Sequence, residues 1–285
     1  MKSFYLNNID SSLQSYEQLI DFYYQTKNIS FDTIEITLND WFAANMSAVL
    51  GGILDEIAQI NEIQIKSSNE KIISILQRNS FLSGFGYETI YDINNTTIKY
   101  LKLKPSESRY FYNYIANDLL EKIALPSMSK QLKQKISESI YEIFVNAQIH
   151  SQSEYIFVCG QFFPKKHKIE FTIVDMGIGF KKNINSRFNK NMDAAKAIEW
   201  AINEGHTTKN GIPGGIGLAV LKEFILRNKG KFQIISDDGL YELGQERKSH
   251  LLSRPFPGTI VNMQFRTDDV VSYHLRSEIN LSDIF

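Results

Sequence analysis

The 285-residue chain carries 31 basic and 32 acidic residues, a formal net charge of -1, so no global field draws nucleic acid or an anionic membrane towards it. Its single cysteine, Cys159, excludes a disulfide framework and a thiolate metal site and agrees with a cytoplasmic location. No window approaches the roughly 18 uncharged apolar residues of a membrane span, residues 1–8 lack the apolar core of a signal peptide, and the length suits two domains.

Taken in chain order, apolar and polar residues alternate over residues 31–38 as in a half-buried strand, and residues 41–60 then read as an apolar helix. A short strand is predicted over 61–65, a helix over 71–82, where Ile72, Ile73, Ile75 and Leu76 are helically spaced, and a strand over 96–103. Strand, helix, strand, helix, strand is an α/β pattern. A further helix over 109–124 closes at Leu125-Pro126, because the residue before proline disfavours helical geometry. The expected division is an N-terminal domain over 1–110, a linking helix over 111–128 and a second domain over 129–285.

After Pro126 the order changes. A long helix is predicted over 129–150, a hairpin of strands over 154–163 and 168–175, and a helix over 192–203. A glycine-rich loop leads to a helix over 218–228 that Gly230 stops, then to strands over 231–235 and 259–265 with a polar loop over 242–254 between them. Helices mixed with antiparallel strands predict an α+β sandwich.

Three short motifs in this second part bear on chemistry. In the helix 129–150, Leu132, Ile136, Ile140, Ile143, Phe144 and Ala147 form an apolar stripe. Glu142, Asn146 and His150 rise along another face in steps of four. A carboxylate one turn from an amide suits a site where Glu142 takes a proton from a hydroxyl or water while the Asn146 carbonyl ligates a hard cation; a solvated helix face has the same spacing. Asp175-Met-Gly-Ile-Gly179 follows the alternating strand Ile169, Phe171, Ile173. A carboxylate at a strand end can accept from an exocyclic amine, and Gly177 and Gly179 permit a tight turn against a planar base, although Asp and Gly are also common in ordinary turns. Gly214-Gly215-Ile-Gly217-Leu218 precedes an apolar helix, whose exposed N–H groups make a phosphate seat to which Lys209 can add a charge. This spacing matches neither the P-loop nor the dinucleotide fingerprint.

Together with Gly258-Thr259 opening the last strand, these motifs in this order resemble the GHKL ATPase fold, over about residues 127–267. Type II topoisomerases, MutL-type repair proteins, heat-shock chaperones and histidine kinases share that fold. The resemblance implies α+β architecture with a C-terminal GHKL-type sandwich (Bergerat fold), binding ATP and Mg. Glu142 would be the general base, Asn146 the Mg ligand, and Asp175 the partner of the adenine amino group. Gly177 and Gly179 would line the base pocket, Gly214, Gly215, Gly217 and Leu218 would hold the phosphates beside Lys209, and Thr259 would lie near the adenine. Residues 181–213 are similar to the family's mobile lid. The phrase from Glu142 to His150 resembles that of anti-sigma-factor serine kinases. The N-terminal part resembles a STAS domain, with Met46 where that family carries a phosphorylatable serine and Ser47 beside it. The expected function is an ATP-dependent regulatory switch acting on a protein partner, with a serine/threonine kinase or a non-hydrolysing nucleotide-sensing scaffold as alternatives. Many relatives in that family act as dimers, so a homodimer is a further expectation.

Overall fold

The computed structural model describes residues 1–121, 125–202 and 216–278. Its architecture is mixed α and β, with a parallel and an antiparallel sheet. Strands β1 (Lys2–Ile9), β2 (Thr33–Phe42) and β3 (Glu62–Lys66) pair in parallel in that order. Helices α1 (Leu13–Thr26) and α2 (Ser47–Ile57) make the crossovers, two successive βαβ units. The Ser12 hydroxyl caps α1 by accepting from the Ser15 N–H, and Tyr16, Leu19, Ile20 and Phe22 supply its buried stripe. A short 3-10 turn over Ala44–Met46 leads into α2. That helix is buried on every side from Ser47 to Leu54, as a helix apolar all round must be, because it lies between the parallel sheet and a second one.

Helix α3 (Glu70–Arg78) is followed by a 3-10 segment over Phe81–Phe85 and by β4 (Thr97–Leu103). Sequence pattern groups β4 with the first part of the chain, yet it pairs antiparallel with β5 (Ile156–Phe163) at the edge of a five-stranded sheet. That sheet runs β4, β5, β6 (Lys168–Asp175), β8 (Arg247–Arg266), β7 (Lys231–Leu243). Helix α4 (Ser108–Tyr114) continues as a wider π-type turn over Ile115–Leu120. Phe111 stacks on Phe144 of α5 (Lys130–His150), with ring centroids 4.3 Å apart. The Ser129 hydroxyl caps α5 by accepting from the Leu132 N–H at 3.1 Å.

Period-two alternation divides the five-stranded sheet into two buried faces. Ile169, Phe171 and Ile173 of β6, Phe232 and Ile234 of β7, and Val261, Met263 and Phe265 of β8 pack under α5 and α8 (Ile216–Arg227). Phe157 and Cys159 of β5, Val174 of β6, Ile235 of β7 and Ile260 of β8 face α1 and α2 instead. The polar stretch expected as a loop over 242–254 is largely strand: β7 runs to Leu243 and β8 starts at Arg247, with Leu243 opposite Arg247 and Gly239 opposite Leu251. This arm stands against α7 (Ala194–Ile202) and α1, where Arg247 pairs with Glu199 and Arg254 with Asp21. Of residues 242–254 only Leu252 is buried, so the stretch reads like a loop. The helix expected over 41–60 is also shorter, since Trp41 and Phe42 end β2.

Candidate functional site

At one end of the α5 face of the sheet lies a cleft lined by Glu142, Asn146, Asp175, Gly179, Leu218 and Thr259. Six of the residues singled out in the sequence are thus brought around one space. The enclosed part of that space is a narrow slot of about 110 Å³, open to solvent at its mouth. Ile143, Ile173, Phe232, Ile234 and Val261 form much of its floor and side.

Helix α5 presents Glu142 and Asn146, one turn apart and half-buried. Its stripe divides: Leu132, Ile136, Ile140 and Phe144 are fully packed, while Ile143 and Ala147 are half-buried and line the cleft. The backbone of α5 extends through His150; the side chain of that residue is outside the described set.

Asp175 closes β6. Two residues beyond Ile173, it falls on the same face of the sheet, and β8 sets Thr259 directly opposite. Its side chain is 5% exposed. Burial pushes its carboxyl up to about 7, although hydrogen bonds from the Gly177 N–H and the Thr259 hydroxyl pull it part of the way back. The Gly177 N–H reaches Asp175 Oδ1 at 3.0 Å.

The turn after Asp175 is pinned on several sides. The Met176 N–H donates to Ser153 Oγ at 3.1 Å and the Ile178 N–H to the Ser151 carbonyl at 2.8 Å. Gly177 packs so closely on Ser151 that a Cβ there would collide with that carbonyl; it stands behind the cleft lining, not in it. Gly179 has φ +68, a left-handed conformation that favours glycine. It starts α6 (Gly179–Phe188), whose Phe180 N–H donates to Ser236 Oγ at 2.9 Å. Ser236, fully buried on β7, donates in turn to the Gly258 carbonyl at 3.2 Å. It therefore ties the Gly179 turn to the start of the Thr259 segment, a role that a lone serine ending an apolar run does not announce.

The described part of the expected lid, residues 181–202, forms most of α6 and all of α7. Phe180, Asn183 and Ile184 of α6 and Trp200, Ala201 and Ile202 of α7 wall the cleft. None of them was singled out as a site residue. The apolar spacing of α7 carried the only signal, and in it Trp200 reads as simple packing; it does pack, 5.1 Å from the ring of Phe188. Gly217 lies in the first turn of α8 and Leu218 touches the cleft. Lys209, Gly214 and Gly215 lie outside the described residues.

Among the described residues, no group of three or more His, Cys, Asp or Glu side chains could hold a metal. The Asn146 carbonyl offers a hard oxygen donor at the cleft, and a magnesium ion held there would draw the rest of its shell from ligand phosphates and water. The lining combines an apolar slot, one buried acceptor carboxylate and a second carboxylate on a helix. Such a set can hold a flat apolar ring that carries an N–H donor, and can place a base beside another part of the same ligand.

No protein-family model matches this chain, and no curated protein matches it.

Proposed function

We propose that this cleft binds ATP with magnesium and that the protein is a nucleotide-dependent regulatory switch of the GHKL type, its C-terminal part a Bergerat-type sandwich and its N-terminal part STAS-like. The observation that carries the reading is the Asp175 carboxylate, buried at the end of β6 above an apolar floor. Ionised, such a group is costly to bury without a donor. It has the Gly177 N–H and the Thr259 hydroxyl, and the exocyclic amine of adenine adds a third partner in the plane of a base lying over Ile173 and Val261. Thr259 orients the carboxylate from the neighbouring strand, and the tight Gly177–Gly179 turn lets backbone approach the ring.

Glu142 acts as the base. Half-buried on α5, it takes the proton from a water directed at the terminal phosphate, while the Asn146 carbonyl one turn on holds the cation. The magnesium, when bound, neutralises developing phosphate charge. Phe180, Ile184 and Trp200 keep bulk water from the base end of the cleft. The switch reports nucleotide state to a protein partner by differential binding of the loaded and empty forms. Ser47 is not the phosphate acceptor in this reading: it is fully buried and accepts from Asn79 Nδ2 at 3.1 Å, so hydrolysis is preferred to phosphotransfer within the chain.

Calorimetric titration of the protein with ATP in the presence of magnesium tests this reading. Saturable binding at one site per chain is the expected result, and absence of heat and of displacement by a fluorescent ATP analogue would overturn it.

A further inference from the structure

The Asp175–Gly179 turn has one side chain that leaves the cleft. Gly177, Gly179 and Asp175 face Ser151, Ser236 and the cavity, but Met176 packs into the opposite hydrophobic cluster, the one made with α1 and α2. Its contact there is Gly52 of α2. A Cβ added at Gly52 would lie 3.1 Å from Met176 Sδ and 3.3 Å from its Cγ, with Phe157 behind at 3.3 Å. Helix α2 is glycine at this point because the thioether occupies the room a side chain would need. The adjacent Gly51 answers to another element: a Cβ there would meet the ring of Tyr100 on β4, 2.7 Å from Cε2.

We propose that Met176 is a positioning residue for the cleft, through which helix α2 holds the turn that carries Asp175. The backbone of Met176 is fixed by Ser153 and its neighbours by Ser151 and Ser236, so whatever its flexible side chain does not absorb of a push from α2 falls on those hydrogen bonds. By reciprocity, a ligand that pulls on Asp175 works on α2, and a shift of α2 changes ligand affinity. The inference rests on the cleft being the nucleotide site proposed above, but it concerns the turn and can be read without nucleotide.

Four variants of the full chain test it: Gly52→Ala, Gly51→Ala, Met176→Ala and the double variant Gly52→Ala/Met176→Ala. The first readout is hydrogen exchange of the Gly177, Ile178 and Phe180 amides by NMR, and the second is affinity for magnesium-ATP. Gly52→Ala is expected to speed exchange in the turn and weaken affinity by about 10-fold each. Gly51→Ala, with its clash directed at Tyr100, lowers the melting temperature but leaves both readouts unchanged. The double variant, in which the added methyl enters the room left by the shortened side chain, exchanges more slowly than Gly52→Ala alone. Equal effects of the two glycine variants on the turn, or no relief in the double variant, would overturn the proposal. If Gly52→Ala does not fold, Met176→Ala alone decides: faster turn exchange supports the proposal and unchanged exchange overturns it. A parent that binds no ATP sinks the nucleotide reading while the exchange data still decide the coupling. ATP binding with an indifferent turn does the reverse.

Discussion

The two faces of the five-stranded sheet both bury polar side chains, and they treat them in opposite ways. On the α2 face, Thr172 Oγ1 donates to Asn262 Oδ1 at 2.8 Å, Asn262 Nδ2 to Gln233 Oε1 at 2.9 Å, and Gln233 Nε2 to the Ser11 carbonyl and to Glu242. Asn45, at the entrance to α2, donates into the same chain. Apart from Asn45 Oδ1, which is buried without a partner, those groups spend their hydrogen bonds within this network, and what they supply is register between the helical layer and the sheet. On the α5 face, Asp175 is also buried but its carboxylate borders a cleft, and Glu142 and Asn146 face that cleft from a helix without filling it. Burial of polar atoms does not by itself mark a site. The distinguishing property is burial combined with open space.

Replacing the proposed base should separate the faces most widely. Glu142→Ala is expected to lower ATP turnover by about 100- to 10,000-fold while leaving affinity within a few-fold, since a general base acts on the reacting water and adds little to ground-state binding. A phosphate-release assay beside calorimetry checks it. Parallel loss of binding and turnover would make Glu142 a structural residue, and its face of α5 would then resemble the sealed one.

The next contrast pairs one substitution from each face. Asp175→Asn keeps the shape and turns the acceptor into a partial donor, so it should weaken ATP binding by about 1 to 3 kcal/mol. The same change removes a buried carboxylate whose ionisation the fold opposes, so the empty protein should melt higher at pH 8. Asn262→Ala should behave in the opposite sense: it strands Thr172 and Gln233, lowering stability by about 3 kcal/mol, with ATP affinity unchanged in the folded protein. Denaturant melts at fixed pH, set beside titrations, measure both. If Asn262→Ala weakens binding in the folded protein as strongly as Asp175→Asn, the division between the faces does not hold.

Much of the open face was legible because its rules are local. Ile169, Phe171 and Ile173 alternate, so Asp175 two residues on had to share their face. The steps from Leu132 to Phe144 fixed which side of α5 packs, leaving Glu142 and Asn146 beside it. Partners across the sheet were not legible. Nothing in residues 97–103 says that β4 joins β5 instead of the parallel sheet, because both pairings bury the same alternating residues. Helix α1 carries a readable stripe from Tyr16 to Phe22, but β1 before it carries Asn7 and Asn8 ahead of its last residue, Ile9, and its outward face is polar enough to pass for an irregular terminus. A glycine pair inside an apolar helix, such as Gly51-Gly52, is a general sign of close approach, whereas the identity of the approaching residues, Tyr100 and Met176, is a property of the assembled layers.

The mildest test is pH, and here the open face should contradict itself in a useful way. Burial holds the Asp175 carboxyl near 7 in the folded, empty protein, whereas in the unfolded chain it returns to the ordinary carboxylate range. The folded state therefore keeps its proton to higher pH than the unfolded state does, and this group's contribution to stability is greatest at low pH. That contribution falls as pH rises towards about 7, then levels off. Ligand affinity runs the other way, because only the ionised carboxylate accepts from the amine without first giving up a proton. ATP binding should be strongest above about pH 8 and about 10-fold weaker at pH 6, with a proton released on binding that appears as a buffer-dependent heat. Asn262, Thr172 and Gln233 carry no proton that titrates in this window, so Asn262→Ala should keep this pH response. Asp175→Asn should abolish it, and an unchanged response in that variant would move the titration, and with it the acceptor role, to another group of the cleft.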